Sequence, residues 1–109
     1  MKRLLLVTLL SLATLTAVAA EGEVTLTIEN HAFSPKEVKI PAGKKIKLLV
    51  VNKDASPAEF ESKPLGREKV IPAKSTAIIL LGPLKPGRYA FVEEYHENEA
   101  AAQGTIVVE

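Results

Sequence analysis

From Val24 onward the chain alternates between apolar and polar residues. Val24, Leu26 and Ile28 are interleaved with Thr25, Thr27 and Glu29. A period of two puts every other side chain on one face, which predicts a half-buried strand rather than a helix. Similar short runs predict strands at Val38–Ile40, Lys45–Val51, Ala58–Glu61, Glu68–Ile71, Thr76–Leu81, Arg88–Val92 and Thr105–Val108. Turn-forming residues separate them at Ser34-Pro35, Pro41-Ala42-Gly43, Pro64-Leu65-Gly66, Pro72, Gly82-Pro83 and Pro86-Gly87. Short strands at this spacing predict an all-β sandwich. Only Glu93–Ala102 suits helical structure, as a short turn or two.

The first twenty residues break this pattern. Met1-Lys2-Arg3 is basic, Leu4–Thr16 is apolar but diluted with Thr and Ser, and Ala17-Val18-Ala19-Ala20 precedes Glu21. That order reads as the three regions of a secretory signal peptide. A membrane-spanning helix needs about 20 steadily apolar residues, which this segment lacks. The expected organisation is a signal peptide at 1–20, cleaved after Ala19 or Ala20, and one domain at 21–109. No transmembrane segment is expected after processing.

Composition then narrows the chemistry. Without Lys2 and Arg3 the 14 basic residues become 12 against 13 acidic ones, a net charge of about −1. Near-neutrality gives no support for nucleic-acid binding. The remaining 89 residues (109 − 20) suffice for a modest core. The chain has no Cys and its only Met is Met1, so disulfides, thiolate metal sites and thiol catalysis are excluded.

If each strand reverses direction at its turn, the loops sort to two ends. His31–Pro35, Asn52–Pro57, Pro72–Ser75 and Glu93–Gln103 share one end. Pro41–Gly43, Ser62–Arg67 and Gly82–Gly87 share the other, with mostly turn chemistry. The first end holds both histidines and most acidic loop residues, and function on a sandwich usually sits in such loops. The candidate metal ligands are Glu59, Glu61, Glu93, Glu94, His96 and His31. Carboxylate oxygens with one or two imidazole nitrogens suit iron, manganese, calcium or copper(II) rather than copper(I). A bland reading stands beside each. Glu59 and Glu61 also read as an exposed strand face, the Glu93–Glu99 run as a solvated loop, and Glu68 as a surface ion-pair member. If Phe60 points into the core, Glu59 points out, and a bulge near Ala58-Glu59 would be needed to turn it inward. No catalytic triad, phosphate loop or zinc spacing is present.

Several segments resemble the cupredoxin family: Phe33-Ser34-Pro35, Val38–Gly43, Val50–Asp54, Leu84–Phe91 and Gly104–Val108. The resemblance implies a Greek-key β-sandwich with a metal site among loops at one end. Of the four blue-copper ligand positions, only the one at His96 keeps its ligand. The first His position falls at Ala58 or Glu59, the Cys position near Glu93 and the Met position near Ala102. Type 1 blue copper is therefore not expected. The segments Ala58–Ser62, Arg67–Lys69 and Glu94–His96 are similar to a narrower group, the EfeO-type cupredoxin domains and the small cupredoxins associated with bacterial iron permeases. That similarity implies a periplasmic protein binding iron or copper(II), with a membrane iron permease or periplasmic iron-uptake proteins as partners. It points first to Glu59, Glu94 and His96, then to Glu61, Glu93 and His31. Two rival functions accompany it: a metal-free interaction domain docking on a transporter, and a ferrous-iron oxidase.

Overall fold

The computed structural model describes residues 16–18 and 22–109. Its strands are β1 (Thr16–Val18), β2 (Glu23–Glu29), β3 (Ala32–Ser34), β4 (Glu37–Ile40), β5 (Ile46–Asn52), β6 (Ala58–Ser62), β7 (Arg67–Ile71), β8 (Thr76–Leu81), β9 (Gly87–Glu93) and β10 (Gln103–Val108). Two single 3-10 turns, Glu94–His96 and Ala100–Ala102, fill the β9–β10 connection. Among the described residues no helix is long and apolar enough to cross a membrane. The expected signal peptide lies outside the described residues, apart from Thr16–Val18.

The strands form two sheets, with orders β1-β4-β10-β9-β6-β7 and β3-β2-β5-β8. Alternation determines which faces meet. Val24, Leu26 and Ile28 of β2 are buried, as are Ala77, Ile79 and Leu81 of β8, with polar or exposed residues between them. These inner faces close on Val38, Phe60, Ile71, Phe91 and Ile106 of the other sheet. The result is the expected all-β sandwich.

The strands predicted from the sequence alternate in direction as anticipated, so β2 and β5 run parallel, as do β4 and β10. Two strands were not anticipated. One is β1, within the segment read as a leader. The other is β3, which pairs with β2 in register Glu29↔Ala32 and Thr27↔Ser34. The chain then leaves that sheet at Ser34-Pro35 and continues as β4 in the other. A three-residue strand beside turn residues gives too short a period to detect.

The loops gather at two ends. Asn52 and Ser75 are joined by a backbone hydrogen bond of 2.8 Å, and Lys74 donates to Asp54 at 3.0 Å. At the opposite end Gly43 donates to Leu84 at 3.0 Å. The chain's three phenylalanines lie near the histidine-bearing end. Phe91 meets Phe33 edge-on at 4.7 Å and stacks on Phe60 at 5.3 Å. Each is close in sequence to a candidate ligand, so the aromatic cluster forms an apolar floor beneath the polar loops.

Candidate metal centre

The turn between β2 and β3 holds His31. Asn30 and His31 both have positive φ, +53° and +61°, as the two central residues of a tight hairpin turn require. Neither is glycine, so the turn needs support from outside. Asp54 provides it, because its carboxylate accepts from the Asn30 N–H at 2.7 Å and the His31 N–H at 3.0 Å. The His31 hydrogen bond is the main cause holding the Asp54 carboxyl below its ordinary value. Asp54 is itself fixed by Asn52. That buried amide accepts from the Asp54 N–H at 3.0 Å and donates to the Ser56, Ile71 and Pro72 carbonyls.

Glu93 ends β9 and is only 1% exposed. A buried carboxylate persists where it is fully hydrogen-bonded. One oxygen, Oε1, accepts from the Glu59 N–H at 2.9 Å and the Tyr95 N–H at 3.3 Å. The other, Oε2, contacts His96 Nδ1. The His96 ring stacks on His31 with centroids 3.7 Å apart and planes 21° apart. One donor atom from each of His31, Glu93 and His96 lies within 4.8 Å of the other two. Both imidazoles are partly open to solvent while the carboxylate is not.

A second cluster lies beside the first. Phe60 is in the core, so Glu59 and Glu61 leave β6 on the opposite face, as strand alternation demands. Glu59 is nevertheless only 9% exposed. No bulge is needed, because the Glu94–His96 turn folds back over it as the chain leaves the sheet after Glu93. One carboxylate oxygen from each of Glu59, Glu68 and Glu94 lies within 4.8 Å of the other two. Crowding of like groups shifts their protonation. Glu68, then burial, raises the Glu59 carboxyl. Glu59, burial and Glu61 together push Glu94 up to about 7.

The sequence-derived candidates thus fall into two sets. His31, Glu93 and His96 form one, and Glu59 and Glu94 belong to the other, with Glu61 at its rim. Glu59 and Glu94 do not share a cluster with His96. Sequence reading missed Glu68 as a cluster member and Asp54 as the brace of His31. Glu68 was detectable in principle, because pairing the β6–β7 hairpin sets it directly opposite Glu61.

The donors test what a metal would find here. Ala58 and Ala102, at or near two of the blue-copper positions, are buried and carry no donor. With no Cys in the chain, type 1 copper has no thiolate. Two nitrogens and a carboxylate instead fit a borderline or hard ion such as copper(II) or iron.

A two-sheet sandwich with its donors clustered in loops at one end defines a cupredoxin-like domain. The chain belongs to that family, whose profile matches residues 2–108. It is 42% identical over 86 residues to the uncharacterised protein RP394 of Rickettsia prowazekii (strain Madrid E), covering 79% of this chain and 67% of that one. Among solved structures it resembles the metal-binding domain of the Cu(I)-exporting P-type ATPase CopA of Streptococcus pneumoniae D39. The TM-score is 0.75 at 16% identity, over 89% of this chain and 98% of that one. Reduced auracyanin of Roseiflexus castenholzii is also similar, with a TM-score of 0.67 at 17% identity over 84% of this chain and 99% of that one. At these identities the structural likenesses establish the fold.

Proposed function

We propose that this protein is an exported, periplasmic metal-binding cupredoxin that takes iron or copper(II) on His31, Glu93 and His96. The observation that carries the reading is the meeting of those three donors within 4.8 Å over an apolar floor. Glu93 supplies a buried anionic oxygen and the histidines supply neutral nitrogens. Export is supported by the order of basic, apolar and small residues in 1–20. Service to iron uptake, beside a membrane iron permease or periplasmic iron-uptake proteins, rests on the sequence similarity to permease-associated cupredoxins. Oxygen donors favour Fe(III) over Fe(II), so ferrous oxidation is the enzymatic extension of this reading.

Calorimetry with Cu(II) and Fe(III) tests it. The wild type should bind one equivalent of one of these ions at this site. The Glu93→Gln/His96→Ala variant should bind that ion at least about tenfold more weakly. Equal binding by both proteins would remove the site. Oxygen uptake no faster than the buffer control on adding Fe(II) would remove the oxidase extension.

A further inference from the structure

We propose that the end of the sandwich opposite the metal centre docks on an anionic lipid bilayer. Three connections make up that end. Segments 41–47, 62–67 and 82–88 carry seven basic residues and no acidic one. Lys44, Lys45 and Lys47 stand on the first, Lys63 and Arg67 on the second, and Lys85 and Arg88 on the third, all of them exposed. Arg88 pairs with Glu37 at 3.8 Å. Among the described residues the other six enter no ion pair. At the opposite end the connection 93–103 holds four acidic residues and no lysine or arginine. A chain close to neutral overall is thus polarised from one end of its strands to the other, and such a separation of charge steers association.

The three connections are fastened together, so their charges act as one surface. The Gly43 N–H donates to the Leu84 carbonyl at 3.0 Å. A Cβ built on Gly82 would approach the Lys44 carbonyl to 2.5 Å, so glycine is what lets the first and third connections close. Arg67 Nε donates to the Leu80 carbonyl at 3.3 Å and brings the second connection to the end of β8. Lys45, Lys47 and Arg67 consequently line one groove beside Leu80. Lys44, Lys63 and Lys85 lie outside that groove, so the charge spreads over a face and does not converge on a point.

Apolar side chains among these cations select the partner. Leu80 is 66% exposed, and Ile78, on the same face of β8, is 55% exposed. Pro64, Pro83 and Pro86 are exposed at the loop tips. A free phosphate would use the cations and leave this apolar surface in water. The headgroup layer of a bilayer meets both, with phosphates for the ammonium groups and acyl surface for Leu80. The acidic connection at the far end is repelled by the same headgroups. The docked sandwich therefore stands on its basic end, with His31 and His96 turned away from the lipid. This orientation does not depend on which ion the metal centre takes.

Vesicle flotation of the purified protein tests this, using phosphatidylcholine alone and phosphatidylcholine with about one-third phosphatidylglycerol. Wild type, Lys44→Glu/Lys45→Glu and Lys36→Glu/Lys53→Glu would be compared. The last pair changes net charge equally but lies at the histidine-bearing end, where Lys36 donates to the Ala100 carbonyl and Lys53 pairs with Glu29. All four lysines are exposed, so the substitutions leave the core untouched. Wild type should float with the mixed vesicles and not with phosphatidylcholine alone. It should be released as salt rises from about 0.05 M to about 0.5 M. Each cation near an anionic surface contributes about fivefold, so Lys44→Glu/Lys45→Glu should bind the mixed vesicles at least about tenfold more weakly. Lys36→Glu/Lys53→Glu should stay within about threefold of wild type. No flotation of the wild type with the mixed vesicles would overturn the proposal. Equal flotation with both vesicle types would overturn it too, by showing that an apolar segment partitions without regard to charge. So would equal losses in the two double variants, which would mark a response to net charge and not to this end of the molecule.

Discussion

Glu93 Oε1 accepts a 2.9 Å hydrogen bond from the Glu59 N–H, and this bond ties the end of β9 to the start of β6. Backbone pairing between these strands is short, reaching only Phe60↔Glu93 and Glu61↔Val92. The side chain extends the ladder where the main chain diverges. Glu93→Ala would leave the Glu59 N–H buried without an acceptor. The metal-free variant should lose about 1–3 kcal/mol in urea unfolding. Glu93→Gln keeps a carbonyl oxygen for that donor and should lose less. Equal losses would show that the bond carries no weight.

Asp54 braces a turn whose two central residues are not glycine. Asp54→Ala removes a charged acceptor from two N–H groups at once. Hydrogen bonds to a charged group contribute roughly 1.5–3 kcal/mol, so destabilisation of that order is expected. Amide exchange at Asn30 and His31 should also accelerate. Slow exchange there in the variant would show that the turn holds its shape unaided.

Glu94 gives the metal-free protein a pH dependence of definite sign. Its carboxyl rises from the ordinary 4.5 to about 7, chiefly through Glu59. The folded state thus binds a proton more tightly than the unfolded chain does. That contribution to stability is complete below pH about 4.5 and is lost as pH rises through about 7. The melting temperature should fall between pH 5 and pH 8, and Glu94→Gln should flatten the fall. Asp54 acts in the opposite sense, since its lowered carboxyl costs stability only as pH drops below the ordinary carboxylate range. An identical pH profile in Glu94→Gln would refute the assignment to Glu94.

Gly104 lies against the floor of the site. A Cβ built there would approach the Phe91 ring to 2.4 Å. Phe91 is buried between Phe33 and Phe60 and has little room to retreat. Gly104→Ala should cost about 1–3 kcal/mol, the usual range for overpacking. Thermal unfolding would measure it, and an unchanged melting temperature would show that the ring yields freely.

The parts of this fold that were readable in the sequence are those governed by local period. The alternation in β2 and β8 survives intact as buried and exposed positions. Strand direction follows from turn count, and it places His31, Asp54, Glu93 and His96 at one end. The partition of the ligands was not readable. Glu59 is buried because a distant turn covers it, and nothing within β6 encodes that. Glu68 looked like a surface charge because its neighbours Arg67 and Lys69 suggested pairing. It is exposed, but the hairpin register sets it opposite Glu61, and Arg67 turns to the Leu80 carbonyl instead. Asp54 went unassigned because its role is toward a backbone 23 and 24 residues away.

The small strand β1 has its own consequence. It runs parallel to β4, pairing Thr16↔Glu37 through Val18↔Lys39, while the other flank of β4 stays paired with β10. Removal of the proposed signal peptide after Ala19 or Ala20 would carry β1 away. The outward N–H and C=O groups along Glu37–Lys39 would then meet water. Such a rim invites pairing with another chain, and charged residues like Glu37 and Lys39 discourage it. Cleavage of the proposed signal peptide would therefore have a structural effect of its own. It would expose a new border of the sheet, and the charge on β4 would govern whether mature molecules stay apart.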